Sequence, residues 1–255
     1  MSEPHRVEAS GHSLRVQSSG SGSRHFLCLH GLVDTIEIWK RLAPALEERG
    51  RLCRIDQRGH GESDAPLGPY SREDLAGDVI AALDAEEVEK TILIGHSMGG
   101  IVAMATALAY PERVAGLVLI GTTSQCAEKV AGWYERIALA GEKDGNPGLV
   151  RAIYGEKSKK KLVGDAQGIS HVTRMLKSLF DDPLTPKLSE LRCPVLAIVG
   201  EKDPMGSRAS EIVFSALPAG SAELLSIADR GHWLHVEAVD EVVAALDRWL
   251  AKSEL

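Results

Sequence analysis

Short, largely apolar runs, separated for the most part by amphipathic helical patterns, limit what this chain can fold into more than any other feature. The runs are Phe26 to Leu29, Leu52 to Ile55, Thr91 to Ile94, Val114 to Ile120, Val195 to Val199 and Leu224 to Ile227. Each is too short for a helix and too apolar for a strand with one wet face, so each reads as a strand buried on both sides. Helical patterns cover Trp39 to Arg49, Leu75 to Leu83, Ile101 to Tyr110, Ser210 to Leu217 and Val236 to Leu250. Ser71 with Asp74 resembles a capping box opening the second, and Gly50 can close the first. Strands alternating with helices predict an α/β fold, with a mostly parallel central sheet flanked by helices.

The alternation breaks between Ser124 and Glu190, where the pattern is helical and punctuated by Gly145, Pro147, Pro183 and Pro186. This predicts a helical cap, residues 124–190, inserted between two parts of one core, residues 1–123 and 191–255. A segment that leaves one strand end and returns to the next lies over the C-terminal edge of the sheet, where open α/β proteins bind ligands. One core suffices for a chain of 255 residues.

Composition removes several classes of function. A net charge of −7 opposes a phosphate backbone, so no nucleic-acid partner is expected. The basic run Lys157 to Lys161 contains no aromatic residue and reads as a solvated helix end or loop. Cys28, Cys53, Cys126 and Cys193 show neither CxxC nor zinc-finger spacing, which predicts reduced thiols and no metal. The N-terminus lacks the apolar stretch of a signal peptide, which points to a cytoplasmic protein. The stretch from Thr91 to Pro111 is free of charge, but GHSMGG interrupts it, so no membrane association is expected. The oligomeric state stays open.

The residues able to do chemistry gather where such a sheet would bring them. Gly95, His96, Ser97, Met98 and Gly99 fit GxSxG, directly after the run Thr91 to Ile94 and ahead of a helical pattern. A serine on so tight a turn needs small residues at both glycine positions, because the chain passes close to itself there. A nucleophilic serine also needs a base, an acid to orient the base, and donors for the oxyanion. Asp203 follows Val195 to Val199 in GEKDP, and His232 follows Leu224 to Ile227 in DRGHW, so both leave the same sheet edge as Ser97. Their order along the chain differs from that of chymotrypsin-like and subtilisin-like proteases. The backbone N–H groups of Met98, at the start of a helix, and of Leu32, in HGLV, are the candidate oxyanion donors. Trp133, Phe180 and Trp233 are candidate substrate contacts, with Tyr134, His171 and Met175 as further core or pocket residues of the cap.

These motifs together resemble the α/β-hydrolase fold family. They are LHGL at Leu29 to Leu32, DQRGHGESD at Asp56 to Asp64, GHSMGG at Gly95 to Gly100, YPERVAGLVLIG at Tyr110 to Gly121, GEKDP at Gly200 to Pro204 and RGHW at Arg230 to Trp233. The stretch DQRGHGESDAPLGPYSREDLAGDV is most similar to 3-oxoadipate enol-lactonases and related small esterases. The resemblance implies hydrolysis of a small-molecule carboxylic ester or lactone through an acyl-Ser97 intermediate, without a cofactor. Cofactor-free haloperoxidases or perhydrolases, carbon–carbon bond hydrolases and hydroxynitrile lyases share the triad, and a small-ligand receptor can retain it. Serine at the elbow argues against haloalkane dehalogenases and epoxide hydrolases of this fold, which use aspartate.

Each assignment has a rival nearby. His235 competes with His232, and Glu201 with Asp203; His232 follows a glycine directly after the strand, and Asp203 precedes Pro204. His30 reads as a support for its loop, and the cluster Asp56, Arg58, His60, Glu62 and Asp64 as a structural turn. An apolar pocket under the cap would favour small uncharged esters or lactones over long lipids, triglycerides or peptides.

Overall fold

The computed structural model describes residues 3–204 and 207–255. Eight strands form one sheet: β1 (His5–Ala9), β2 (His12–Gly20), β3 (His25–Leu29), β4 (Arg51–Ile55), β5 (Thr91–His96), β6 (Val114–Ile120), β7 (Val195–Gly200) and β8 (Ala222–Ile227). Their spatial order is β1-β2-β4-β3-β5-β6-β7-β8. Only the pairs β1–β2 and β2–β4 are antiparallel; β4 and β3, and every pair from β3 to β8, run parallel.

Burial on both faces explains the apolar runs of β3 to β7, whereas β8 ends the sheet with Leu224 and Leu225 half-buried and Ser226 exposed, so the run Leu224 to Ile227 is not buried on both sides. Leu27, Leu29, Leu93, Leu117 and Leu119 pack on one face with Val102 and Met104. Their strand neighbours Phe26, Cys28, Ile92, Ile94 and Val118 pack on the other with Leu246 and Trp249. The helices that supply these faces are α2 (Arg72–Ala85), α3 (Met98–Ala109) and α6 (Ser207–Ala216) on the first, and α1 (Ala43–Glu47) and α8 (Val239–Lys252) on the second. The capping box at Ser71 is present, with Asp74 N–H donating to Ser71 Oγ over 3.0 Å and Ser71 N–H to the Asp74 carboxylate over 2.8 Å.

Three local readings change. The strands β1 and β2 escaped notice because their outward positions are polar, as in HRVEA, so they lack an apolar run. The pattern Trp39 to Arg49 is a 3₁₀ turn, Ile36–Trp39, followed by the short α1, with Pro44 in the first turn where a missing N–H is tolerated. The pattern Val236 to Leu250 splits at Ala238, whose φ of −142° and ψ of 47° separate α7 (Leu234–Glu237) from α8.

Between β6 and β7 the chain forms α4 (Glu128–Tyr154) and α5 (Ala166–Lys177). α4 bends at Gly145, whose φ is +64°, just before Pro147. The two helices bury Tyr134, Ile137, Ile169, Val172 and Met175, and Ser170 Oγ donates to the Ala138 carbonyl over 3.0 Å. The segment closes on itself where it leaves the core: Leu184 N–H donates to the Ser124 carbonyl over 2.8 Å, and the Ser124 and Thr185 hydroxyls lie 2.7 Å apart. Among the described residues, no helix is long and apolar enough to cross a membrane.

Candidate active site

Ser97 stands between β5 and α3 with φ of +52° and ψ of −116°. A non-glycine residue with that backbone is held there by its surroundings, at a cost of about 1–3 kcal/mol. Ser97 N–H donates to the Ile120 carbonyl over 2.9 Å, and Thr122 Oγ1 donates to the Ser97 carbonyl over 2.7 Å. The glycines of the motif are sterically required: a Cβ at Gly95 would lie 2.4 Å from the Gly99 carbonyl oxygen, and one at Gly99 would lie 2.0 Å from that of Leu29.

The proposed acid and base follow the ends of β7 and β8. His232 Nδ1 lies 2.8 Å from Asp203 Oδ2, with both residues buried. A carboxylate only accepts, so Nδ1 carries the proton and Nε2 is left as the basic nitrogen. The two loops are tied together, because Lys202 N–H donates to the Arg230 carbonyl over 2.8 Å and Glu201 N–H to that of Ile227 over 3.0 Å. Gly121, at the end of β6, lies against the pair; a Cβ there would be 3.1 Å from both Asp203 Oδ2 and His232 Nδ1.

Ser97 and His232 line one cavity of about 430 Å³, with Leu32, Trp133, Tyr134, Leu176 and Trp233 among its walls. Leu32 follows Gly31 in the loop after β3, and Met98 is the first residue of α3, whose N–H has no partner within the helix. His30 holds the first of these loops: its Nδ1 donates to the Gly31 carbonyl over 2.8 Å, and its Nε2 accepts from Gln57 N–H over 3.0 Å.

The rivals lie elsewhere. His235 does not line the cavity; it is fully buried, with its ring centre 4.6 Å from that of Trp39. Burial and the neighbouring His232 pull its pKa down to about 3, so it stays neutral. Glu201 is exposed and accepts from Asp229 N–H over 3.2 Å. Cys28 is buried inside β3, and burial pushes its thiol above the ordinary range. Asp56 is a structural hub, accepting from Ile36 N–H over 2.7 Å and Glu62 N–H over 3.0 Å. No metal-binding group of His, Cys, Asp and Glu occurs among the described residues.

One candidate contact moves out of the site. Phe180 is 46% exposed and does not line the cavity. It falls in the polar turn after α5, beyond the face that points inward, and Leu176 of α5 supplies the wall instead. Met175 is buried between helices, as a core residue.

Other participants carry signals too generic to find in a sequence. His96, the variable residue inside GxSxG, is buried, and its Nε2 donates to the His232 carbonyl over 3.1 Å, steadying the loop that bears the base. Asp34 lines the cavity two residues after Leu32, together with Trp233. Burial raises its carboxyl to about 6 against the pull of Lys160. Lys160 itself, read from sequence as part of a solvated run, lies over two rings of the cavity wall.

Comparison with known proteins agrees with this architecture. Residues 24–146 match a family described as alpha/beta hydrolase fold. A putative 2-succinyl-6-hydroxy-2,4-cyclohexadiene-1-carboxylate synthase of Bacillus subtilis is 29% identical over 85% of this chain and 86% of its own. The 3-oxoadipate enol-lactonase 2 of Acinetobacter baylyi is 27% identical over 76% of this chain and 77% of its own. Among solved structures, a thermophilic esterase from Thermogutta terrifontis superposes over 100% of both chains with a TM-score of 0.87, at 24% identity.

Proposed function

We propose that this chain, whose residues 24–146 match the α/β-hydrolase fold family, is a serine hydrolase of small-molecule carboxylic esters or lactones, working through an acyl-Ser97 intermediate without a cofactor. The observation that carries the reading is that Ser97, on its strained turn, shares a cavity with His232, whose Nδ1 is 2.8 Å from Asp203.

In the first half-reaction Ser97 Oγ attacks the substrate carbonyl carbon while His232 Nε2 takes the hydroxyl proton. The carbonyl π pair moves onto oxygen, and the N–H groups of Leu32 and Met98 receive that negative charge. When the tetrahedral species collapses, the carbon–oxygen bond to the leaving group breaks and His232 returns the proton to the departing alkoxide. A water then repeats the sequence on the acyl-enzyme, releasing the acid and restoring Ser97. Asp203 keeps the imidazole in the productive tautomer and stabilises the imidazolium that forms in each half. Residues 124–190 act in this reading as a cap whose Trp133 and Tyr134 wall the acyl or alcohol group. Similarity to an enol-lactonase supports placing lactones among the substrates. The four free cysteines fit a reducing, cytoplasmic setting.

The test is Ser97→Ala measured beside a fluorophosphonate probe. The variant should keep the wild-type circular dichroism spectrum and thermal midpoint and lose about 10⁴–10⁶ in kcat on a simple aryl ester. The probe should label Ser97 alone. A folded, active variant, or a label on another residue, overturns the assignment.

A further inference from the structure

A buried acceptor left without a donor costs free energy, and two acceptors face each other in the cavity wall. Among the described residues lining the cavity, Asp34 is the only carboxylate, and no lysine or arginine joins it. It closes a turn in which its N–H donates to the Gly31 carbonyl over 3.2 Å. Its Oδ2 lies 3.9 Å from Nδ1 of His96, another wall residue. His96 is fully buried, and because its Nε2 donates to the His232 carbonyl, Nδ1 is a bare lone pair that receives no hydrogen bond among the described residues. Burial, and then the neighbouring His235 and His232, hold the ring neutral, far below its ordinary pKa. Gly31 leaves the gap between the two acceptors open: a Cβ there would lie 2.9 Å from His96 Nδ1 and 3.2 Å from Asp34 Oδ2. No lysine or arginine nitrogen of the described residues comes within 4.0 Å of the Asp34 carboxylate; the exposed Lys160 acts on it from farther away.

We propose that Asp34 and His96 form a subsite for a primary ammonium on the substrate, close to the scissile carbonyl held at Ser97. The inference rests on the acyl-enzyme reading and names its substrate class, esters or lactones with a short amino-bearing chain. Two acceptors 3.9 Å apart suit one nitrogen, because a nitrogen about 2.9 Å from each can give each its own N–H, whereas a hydroxyl has a single proton to offer. Charge favours the same choice, since hydrogen bonds between ionised partners are the stronger ones. Spacing follows from the chain. His96 adjoins the nucleophile Ser97, and Asp34 shares its turn with the candidate oxyanion donor Leu32, so the ammonium lies near the reacting carbon. A substrate carboxylate at this end would meet a like charge. A cation thus takes the place of the uncharged group that wall composition alone suggested.

The experiment compares kcat/KM for the ethyl esters of glycine, β-alanine and 4-aminobutyric acid at about pH 7, where the amines are charged and Asp34 is above its midpoint of about 6. Each is set beside the esters in which methyl, hydroxyl or trimethylammonium replaces the ammonium. Every value is divided by the rate of hydroxide-catalysed hydrolysis of the same ester, so that inductive effects on the carbonyl cancel. In wild type the best amino ester should exceed its methyl counterpart by about tenfold, the size of one charge-assisted contact, and its hydroxyl and trimethylammonium counterparts by about threefold or more. Asp34→Asn should bring the amino-to-methyl ratio to about one, chiefly through KM. Lys160→Ala, which removes the cation acting on the same carboxylate, should raise the ratio by about twofold. It carries the test should Asp34→Asn not fold, and a lowered ratio there overturns the inference. So do a wild type indifferent to the ammonium, a hydroxyl or trimethylammonium ester that does as well as the amino ester, and a ratio unmoved in Asp34→Asn, while labelling of Ser97 by the fluorophosphonate keeps the hydrolase reading intact. Turnover of no ester, with Ser97 unlabelled, overturns both.

Discussion

The sheet edge and the segment inserted above it meet the same cavity by different means. At the edge, each proposed chemical group sits one or a few residues beyond a parallel strand and is locked by the main chain: Ser97 N–H on the Ile120 carbonyl, Gly121 N–H on that of Ile198, Lys202 N–H on that of Arg230. Those carbonyls belong to or adjoin neighbouring strands, so sheet register sets the spacing of nucleophile, acid and base. The inserted segment reaches the cavity through Trp133, Tyr134, Ile153, Tyr154 and Leu176, carried on two helices that pack mainly on each other. On the proposed function, chemistry belongs to the part of the molecule that cannot shift without breaking the sheet, and selectivity to the part that can be rebuilt from side chains.

The hardest blow to that division is at the edge itself. Asp203→Asn should lower kcat by about 10⁴ with little change in stability, since the amide can hold the wrong imidazole tautomer. His232→Ala should lose as much, whereas His235→Ala should keep most activity and lose stability through its contact with Trp39. Steady-state kinetics on one aryl ester ranks the three, and an inactive, folded His235→Ala with an active His232→Ala would reverse the assignment of the base.

The same contrast explains what could be read in advance. The buried strands were legible because burial on both faces leaves an apolar run, and Ser97, Asp203 and His232 because a parallel sheet turns strand ends into addresses. β1 and β2 were not, because their apolar residues alternate with polar ones, whereas the other edge strand, β8, keeps Leu224, Leu225 and Ile227 together. Phe180 looked like wall material because it is aromatic, yet helix phase near a terminus decides whether a side chain turns inward, and the sequence does not fix where α5 ends. Lys160 lay in a run whose composition says only that it is solvated; its place over Tyr154 and Trp233 is a property of the folded loop.

Acid should separate the two regions next. His30 and His60 are pulled by burial to about 4 and about 3, and His235 to about 3, from an ordinary value of 6.5. All three belong to loops or helix starts of the core. A base whose folded pKa is depressed binds protons more readily when unfolded, so its stabilisation is intact above pH 6.5 and is lost as pH falls toward the folded value. Each contributes a loss of about 2 kcal/mol by pH 5, so the thermal midpoint should fall steeply between pH 6.5 and 4.5. Asp34, raised to about 6, works in the opposite direction and offsets less than one histidine. A midpoint flat over that range would mean that these rings are solvated.

A smaller effect is expected from Gly121→Ala. The new methyl would lie 3.1 Å from both Asp203 Oδ2 and His232 Nδ1, at a backbone φ of +56° that alanine resists. Displacing the pair by a few tenths of an ångström should cost about 10- to 100-fold in kcat with KM little changed, because the wall residues are untouched. Loss confined to KM would place Gly121 in substrate binding instead.

The mildest test is of the inserted segment. Trp133 lines the cavity and Phe180 does not, so the two aromatic residues, both drawn from the same segment, should behave differently when cut back. Trp133→Ala widens the wall without touching Ser97, Asp203 or His232. Discrimination in such a pocket is worth about 1–3 kcal/mol per methylene that fits or clashes, so the variant should reorder aryl esters by acyl length and not abolish their turnover. Short acyl chains should lose up to about tenfold in kcat/KM and longer ones should gain, as the vacated volume accepts them. Phe180→Ala should leave the ranking as in wild type, within about twofold, since a half-exposed side chain outside the wall gives the substrate nothing to lean on. Equal effects from both variants would mean that the segment acts on the cavity through its own packing, and the separation between a fixed edge and an adjustable wall would fail.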